Sequence, residues 1–377
     1  MQAPVRILLS SAIAITIALG LALAPAWAGE TSVPAPAFAD GSHDFDFNLG
    51  TWHTHIRRLK QPLSGHADWD EMRGTVTVNP IWGGKAQVEE IEADGEAGRF
   101  EGMTVFLYDP DARQWRQYFA DSNDGTLETP SVGRFAHDRG EFYSQELYRG
   151  RAVLVRGVWT VTSPNTHRYE QAYSEDGGKT WEANFIADLA RVKPGEAVTA
   201  MKPVADTPGQ HDFDWQLGQW DIHMSRLEHP LANRNDWTTL EGSVRVRKLW
   251  NGRANLAEID SRGPSGRLEF LSLRLFDPKA HQWSLNFVSS NRGVFSAPMI
   301  GAFANGRGDF YDQEPYEGKA ILARFSFLEL AHGSNRDEQA FSADGGKTWE
   351  VDWVNTSKRT SAAAEKNAFA ARAPHWP

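Results

Sequence analysis

The chain has 377 residues, of which 49 are acidic and 39 are Lys or Arg, so its formal net charge at pH 7 is −10. It contains no cysteine, which excludes a disulfide framework and a cysteine nucleophile. No cluster of Lys and Arg stands out against the acidic balance. The composition therefore argues against a nucleic-acid partner, whose phosphates require clustered positive charge.

The first 28 residues have the pattern of a secretory signal peptide. Arg6 supplies a positive start, an apolar stretch covers residues 7–23, and Ala26 and Ala28 are the small residues that a signal peptidase reads. We predict cleavage after Ala28 and a soluble product in the periplasm or outside the cell. No later apolar run has the length of a membrane span, so none is predicted after removal of the signal.

The rest of the chain is an internal duplication. Residues 43–191 align without a gap with residues 211–359, as in H-D-F-D-F-N-L-G-T-W against H-D-F-D-W-Q-L-G-Q-W. A repeat of this length has the size of one domain. The Pro-, Gly- and Ala-rich residues 192–210 are predicted to be a linker, and residues 360–377 a low-complexity tail.

Within each copy the dominant hydrophobic period is two. Val76 and Val78 alternate with threonines, and Met103, Val105 and Leu107 alternate with Thr and Phe. Turn signals rich in Gly, Asn and Asp separate such runs at short intervals, a pattern typical of antiparallel strands. About ten strands are expected per copy. The predicted fold class is all-β: two tandem antiparallel up-and-down barrels, because closing the sheet removes its edges.

A nine-residue motif occurs once near the end of each copy. S-E-D-G-G-K-T-W-E at residues 174–182 returns as S-A-D-G-G-K-T-W-E at residues 342–350. It matches the Asp-box pattern, in which Ser and Asp side chains bond the amides of a turn and two glycines adopt positive φ. A propeller would repeat the motif in every blade. We therefore interpret it as a structural clip of a hairpin.

Several motifs together resemble a known group of bacterial proteins. They are F-D-F-N-L-G-T-W at residues 45–52, F-D-W-Q-L-G-Q-W at residues 213–220, G-R-F-A-H-D-R-G-E-F-Y at residues 133–143 and W-E-A-N-F at residues 181–185. On these motifs each copy resembles the DUF1579 group, which is similar to calycins, the lipocalin and nitrobindin-like barrel superfamily. The resemblance implies a closed barrel. It also implies that Trp52 with Arg191, and Trp220 with Arg359, form structural Trp–Arg pairs at the barrel base.

Strand alternation predicts which polar side chains point into the barrels. An apolar face belongs inside, and polar residues that share such a face in both copies should lie inside or at the mouth. The candidate ligand-binding residues are Arg58, Glu90, Gln171, Arg226, Glu258 and Gln339. Buried charge is costly unless paired, so each Arg and Glu is expected to pair with the other or with a ligand. A structural ion pair and a ligand anchor both remain open.

The interpretation that results is an exported protein that binds a small, partly apolar molecule in a barrel cavity. The alternative is an isomerase- or lyase-type enzyme with Glu90 or Glu258 as base and an arginine as its electrostatic partner. Gly157 of the first copy is equivalent in the alignment to Phe325 of the second. Because glycine is the smaller residue, we expect more room in the first barrel. A duplicated chain also allows its two barrels to pair with each other.

No cofactor and no metal site is predicted. The nitrobindin resemblance brings haem into consideration as a cofactor. Haem iron needs a positioned axial histidine. The final third of the copies offers His167 and His332, at non-equivalent positions that are predicted to lie in loops. The pair His53 and His55 lies on an outward, polar face and gives too few ligands for a metal.

Overall fold

The computed structural model describes residues 40–96, 98–198, 201, 204–264, 266–331 and 333–361. The predicted signal peptide and His332 lie outside these residues, as does nearly all of the predicted tail. The described chain consists mainly of strands, most of them joined by short turns; the longest connection between two strands is residues 192–217. Its helical elements are four 3-10 turns, at Asp46–Asn48, Trp82–Gly84, Asp214–Gln216 and Trp250–Gly252.

Twenty strands form two closed barrels. The first barrel contains β1 (Gly50–Leu59), β2 (Trp69–Ile81), β3 (Ala86–Gly95), β4 (Gly98–Asp109), β5 (Gln114–Asp121), β6 (Ser131–Ala136), β7 (Arg139–Tyr148), β8 (Arg151–Ser163), β9 (Thr166–Ser174) and β10 (Glu182–Arg191). The second contains β11 (Gly218–Leu227), β12 (Trp237–Leu249), β13 (Ala254–Gly263), β14 (Gly266–Asp277), β15 (Gln282–Ser289), β16 (Met299–Ala304), β17 (Arg307–Tyr316), β18 (Lys319–Ala331), β19 (Ser334–Ser342) and β20 (Glu350–Ser361).

Each strand pairs antiparallel with its neighbours in sequence, and the first and last strands of each barrel close the sheet. The predicted fold class is therefore confirmed: the protein is all-β, with two tandem up-and-down barrels of ten strands each. Such closed, up-and-down barrels have a lipocalin-like fold.

The base of each barrel holds a tryptophan under an arginine. The Arg191 guanidinium carbon lies 4.0 Å from the centroid of the Trp52 ring. Its two Nη groups donate hydrogen bonds of 2.8 and 3.0 Å to backbone carbonyls just before β1. Arg359 packs on Trp220 in the same way, at 4.4 Å. Both Trp–Arg pairs are thus placed as the resemblance implies.

The repeated nine-residue motif is a hairpin clip in both barrels. In the second barrel, Asp344 Oδ1 accepts hydrogen bonds of 3.0 Å from the backbone amides of Lys347 and Thr348. The Ser342 hydroxyl donates to the same carboxylate at 2.8 Å and accepts from the Gly346 amide, also at 2.8 Å. All these bonds stay within one turn, so the motif stabilises the hairpin locally.

We predict that Asp344→Ala lowers the melting temperature at pH 7 and has no other effect. Hydrogen bonds from Thr348 and Ser342 lower the pKa of Asp344 to about 2. The stabilisation is therefore complete above the ordinary carboxyl pKa and is lost as the pH falls through about 2. Differential scanning calorimetry at pH 7 and pH 2 measures it. Lys347→Ala removes only an exposed side chain and serves as control; equal melting temperatures of the two variants at pH 7 would contradict the clip.

One buried apolar cluster contains residues of both barrels. Its members on the first barrel recur at the equivalent positions of the second, which is how a self-complementary interface between two copies is built. The equivalent members are Ile81 and Leu249, Ala86 and Ala254, Val88 and Leu256, Met103 and Leu271, Val105 and Leu273, Leu107 and Leu275, and Ala120 and Val288. The outer faces of β3, β4, β13 and β14 are therefore as apolar as an interior.

In each barrel, the loop after the fifth strand lies close to the backbone of the other barrel. Gly125 follows β5, and a Cβ at this position would lie 2.1 Å from the carbonyl oxygen of Phe276. Gly293, its equivalent after β15, would place a Cβ 2.5 Å from the carbonyl oxygen of Tyr108. Both glycines have positive φ, of 58° and 60°. Glycine is required at both positions because a side chain would collide with backbone.

Candidate functional site

Arg58 and Arg226 lie near the ends of β1 and β11, and both are exposed to solvent. Trp52, Thr54 and Ile56 are buried, so the interior face of β1 is the predicted one. Arg58 is the last but one residue of β1, so it lies on this face but at the rim of the barrel. The two arginines are therefore rim residues, in agreement with the expected place inside the barrel or at its mouth. Glu90 bonds Arg247 of the second barrel, so the alternative in which Arg58 pairs with Glu90 is wrong.

Glu90 and Glu258 point away from the barrel interiors, contrary to the prediction. Glu90 accepts a 2.8 Å hydrogen bond from Arg247 of the second barrel. Glu258 is half-buried, and burial raises its pKa despite the nearby Arg247 and Arg245. Alternation predicts that the apolar face of β3 is the interior face, yet this face is buried against the other barrel. Neither glutamate can act as a base inside a barrel cavity.

Glu258 lies instead in an open groove of about 700 Å³ on the outer surface of the second barrel. Lys85 and Trp82 of the first barrel border the groove, and Arg267 and Glu269 contribute charges from β14. These charges include both signs, and Arg267 already contacts Glu269 at 2.8 Å. The groove has no single charge character that would define a ligand.

Gln171 and Gln339 face the barrel interiors as predicted. Gln171 donates a hydrogen bond of 3.2 Å to Asn184 Oδ1 on β10. Gln339 shares a face of β19 with Asp337 and Phe341, which are both buried inside the second barrel. Of the six predicted residues, these two glutamines are the ones that the structure brings inside.

Glu89, which was not predicted, is a buried acidic residue that points into the first barrel. It is 4% exposed, and its carboxylate accepts hydrogen bonds from Asn48 Nδ2 at 3.1 Å and Thr104 Oγ1 at 3.0 Å. Burial raises the pKa of Glu89 to about 7, against the effect of the two donors. The carboxyl group is thus held at the border of ionisation at neutral pH.

Aromatic side chains fill the space that was expected to be open in the first barrel. A Cβ placed on Gly157 would lie 2.7 Å from the Tyr169 hydroxyl oxygen. Tyr169, on the neighbouring strand, therefore occupies the room that the missing side chain leaves. The prediction that Gly157 makes the first barrel the roomier one is wrong, because the glycine accommodates a large cross-strand neighbour.

His167 lies on β9 inside the first barrel and not in a loop, contrary to the prediction. Its ring centroid lies 4.3 Å from that of Trp52, 5.1 Å from that of Phe47 and 5.8 Å from that of Trp159. Burial, followed by the nearby Arg191, lowers the pKa of His167 to about 3. A haem ligand needs a macrocycle next to the imidazole, and these three rings occupy that space. The residues present do not fit a haem.

The second barrel contains a partly open cavity of about 50 Å³. Most of its wall is apolar and includes Trp220, Ile222, Phe287 and Phe325. A group of buried polar side chains faces the same space: Arg274, Asn335, Asp337, Asn355 and Ser357. At the equivalent positions the first barrel has Phe106, His167, Tyr169, Ala187 and Leu189. The interior of the second barrel is thus polar at five positions at which the first barrel has aromatic or aliphatic side chains.

Arg274 is the central cation of this cavity. Its guanidinium donates to Gln216 Oε1 and, at 3.4 Å, to the Ser272 hydroxyl. The guanidinium carbon lies 4.6 Å from the Phe213 ring centroid and 4.9 Å from that of Phe327. Burial lowers the pKa of Arg274 to about 10, so the group remains charged at pH 7. Arg274 is rigidly held by neutral partners.

Asp337 is the acid that lines the same cavity from β19. It is 8% exposed and accepts a hydrogen bond of 2.8 Å from Asn335 Nδ2. Burial raises the pKa of Asp337 to about 7, while Arg274 and Asn335 lower it. The Oδ1 atoms of Asn335 and Asn255 are buried without a hydrogen-bond partner among the described residues. Polar atoms inside the barrel thus remain available to a guest molecule or to water.

In the two barrels, equivalent polar side chains contact buried groups of opposite charge, a carboxylate in the first barrel and a guanidinium in the second. Asn48 and Thr104 donate to the Glu89 carboxylate in the first barrel. Their equivalents, Gln216 and Ser272, accept from the Arg274 guanidinium in the second. Alanine replaces Glu89 at position 257, and phenylalanine stands at position 106 in place of Arg274. The two copies therefore share the polar side chains but differ in the sign of the charged group that these side chains contact.

No helix in the described part of the chain has the length and apolar character that a membrane span requires. Among the same residues, no group of three or more His, Asp or Glu side chains is arranged to hold a metal ion.

No family model matches the sequence, and no curated protein matches it. The S-type phycobiliprotein lyase CPES of Guillardia theta is 12% identical with a TM-score of 0.30, over 42% of this chain and 99% of that chain. A protein of unknown function from the DUF3598 family of Nostoc punctiforme is 11% identical with a TM-score of 0.22, over 85% and 98% of the two chains. Scores this low carry no argument about function. The lipocalin-like class rests on the two closed barrels themselves, and membership of the DUF1579 group stays a prediction.

Proposed function

We propose that this protein binds a small, partly apolar molecule inside its second barrel. The observation that carries the proposal is the cluster of buried polar side chains around an otherwise apolar cavity, five of which stand where the first barrel has aromatic or aliphatic residues. A polar group costs free energy when it is buried without a partner, so such a cluster is maintained where it contacts a ligand or ordered water. The first barrel, with aromatic and aliphatic residues at the same positions, has the character of a structural core.

The proposal includes three predictions made from the sequence. The protein is exported, as the N-terminal 28 residues predict; it belongs with DUF1579-type calycins; and its two barrels pair with each other, the alternative that the sequence left open beside two independently folding halves. The apolar cluster shared by both barrels supports the pairing. The catalytic alternative with Glu90 or Glu258 as base has lost its support, since both side chains point away from the interiors.

Ser357→Leu tests the site by filling the cavity with the residue that the first copy already has. Leu189 stands at the equivalent position of the first barrel and is 5% exposed, so the backbone there accepts a leucine. We expect the variant to fold and to lose the ligand. Native mass spectrometry after incubation with a metabolite extract measures retention of the ligand.

The matched control is Lys358→Ala, the next residue of β20, which is exposed and likewise takes the residue of the first copy, Ala190. It should retain the ligand at the level of the unmodified protein. Retention by Ser357→Leu at that same level would contradict a site inside the second barrel.

A further inference from the structure

The charge of Arg274 is not neutralised by its immediate neighbours. Both of its hydrogen-bond acceptors, Gln216 and Ser272, are neutral, and its two flanking groups are the rings of Phe213 and Phe327. The two bonds use Nη1 and Nε, so Nη2 has no hydrogen-bond partner among the described residues. A guanidinium cannot lose its charge near pH 7, and a buried charge needs a counter-charge.

Asp337 is the acid that interacts electrostatically with Arg274, yet its own hydrogen bond comes from the neutral Asn335. The guanidinium and the carboxyl group both line the cavity. The other strands contribute uncharged residues to the lining. The cavity thus has a fixed positive group on one wall and a carboxyl group that can take up a proton on another.

We propose that the ligand is a small organic carboxylate, whose anionic group binds Arg274 and the carboxyl group of Asp337 on the facing wall of the cavity. This inference rests on the proposed function and names its ligand class. The ligand brings one negative charge and Asp337 takes up one proton, so the charges inside the barrel balance. The neutral acid then donates its O–H to the ligand carboxylate, and Nη2 of Arg274 donates a charge-assisted N–H.

The size of the cavity and the comparison of the two copies agree with this class. About 50 Å³ is close to the share of roughly two water molecules in the liquid, which suits a carboxylate head with a very short apolar part. The first barrel carries Glu89 and has Phe106 at the position of Arg274. A carboxylate would meet like charge there, so the preference for an anion belongs to the second barrel alone.

Acetate and acetamide are matched in size and differ in charge, which makes them the probes for this inference. Binding of each is followed by titration of the full chain in ¹H–¹⁵N NMR spectra at pH 8. We expect acetate to shift amides of β14 and β19 and to bind at least tenfold more tightly than acetamide. Equal affinities, or tighter binding of acetamide, would overturn the anion class without any need for a variant.

Two substitutions should change acetate binding in opposite directions. Arg274→Met should weaken it at least tenfold and leave acetamide unchanged, while Arg234→Met, an exposed arginine of a loop, should change neither. Asp337→Asn should strengthen acetate binding up to about tenfold at pH 8, because only the neutral form of the native acid is competent and that form is a minor one above its pKa. Weaker acetate binding by Asp337→Asn would overturn the role given to the protonated acid.

Failure of this inference and failure of the proposed function give different results. A neutral or cationic molecule that is retained by the protein and lost in Ser357→Leu would overturn the carboxylate class and leave the binding site in place. If neither probe binds and native mass spectrometry finds no guest that Ser357→Leu removes, the proposed function fails, and this inference fails with it.

Discussion

Glu101→Gln should lower the free energy of unfolding by about 3–5 kcal/mol, because it leaves a buried charge without its partner. Glu101 is 3% exposed and lies on the first barrel; Arg253 is 6% exposed and comes from the second. Arg253 Nη2 donates to Glu101 Oε2, and Nη1 donates to the Ser122 hydroxyl at 3.3 Å. After the substitution the guanidinium stays charged and keeps only neutral acceptors. Denaturant unfolding followed by tryptophan fluorescence measures the loss.

Removal of the arginine by Arg253→Met should lower the free energy of unfolding by less than Glu101→Gln does. Arg99 also donates to the Glu101 carboxylate, so Arg253→Met leaves that acid with one cationic partner. The double variant, Glu101→Gln with Arg253→Met, should recover part of the loss of Glu101→Gln, since it removes the unpaired guanidinium. A double variant that is less stable than both single variants would show that the two side chains do not act as a pair.

The duplication supplies the control. Glu269 is the equivalent of Glu101 in the second barrel, but its side chain is 23% exposed at the open groove and contacts Arg267. Lys85 stands where Arg253 stands in the other copy. Glu269→Gln should change the free energy of unfolding by less than about 1 kcal/mol, the range of exposed ion pairs. Equal losses in Glu101→Gln and Glu269→Gln would contradict the role of burial between the barrels.

The barrels and the hairpin clips were predictable because each has a local or repeated signal, whereas the Trp–Arg pairs were implied only by the resemblance to calycins. A period of two and closely spaced turn residues define antiparallel strands without knowledge of the tertiary structure. The Asp-box clip closes within a single turn, around Asp344 or its equivalent Asp176. The duplication then shows each of these signals twice. Features of this kind need no information about which surfaces meet.

The inward faces of β3 and β13 were not predictable by the rule that an apolar face lies inside. Ala86 and Val88 point outward, and Gln87 and Glu89 point inward, because the outer face packs against the other barrel. A signal was present in the next strand, where Met103–Tyr108 is apolar on nearly every position. A strand with two apolar faces is typical of one covered on both sides.

The cavity residues of the second barrel were not predicted, because residues that recur in both copies give no signal for side chains that only one copy has. Arg274 lies in L-S-L-R-L-F, where alternation places it opposite Leu273 and Leu275. An arginine amid apolar residues on a strand is a buried charge that calls for a partner. The copies differ there, with phenylalanine in one and arginine in the other. The positions at which the copies diverge, Arg274 and Asp337 above all, indicate the barrel with the polar cavity.

Glu89→Gln should flatten the pH dependence of stability and raise the free energy of unfolding above pH 7. The pKa of Glu89 is raised from 4.5 to about 7 in the folded protein. The folded state therefore holds this proton to a higher pH than the unfolded chain does, and stability is lost as the pH rises between these values. The loss approaches roughly 3 kcal/mol above pH 7, at about 1.36 kcal/mol per pH unit. Glutamine does not titrate and avoids it.

The glutamine also fits the hydrogen bonds of the site. Its carbonyl oxygen accepts from Thr104 or Asn48, and its amide can donate to Asn48 Oδ1, which is buried without a partner among the described residues. Urea unfolding at pH 5 and pH 8 tests the expectation, with Glu228→Gln, an exposed carboxylate of a loop, as the control for the charge change. Other buried acids, Asp337 among them, contribute equally to every variant, so the informative quantity is the difference between the two pH values. If Glu89→Gln and the unmodified protein lose equal stability between pH 5 and pH 8, Glu89 ionises in the folded protein at its ordinary pKa, and the barrel interior around it is wetter than its burial indicates.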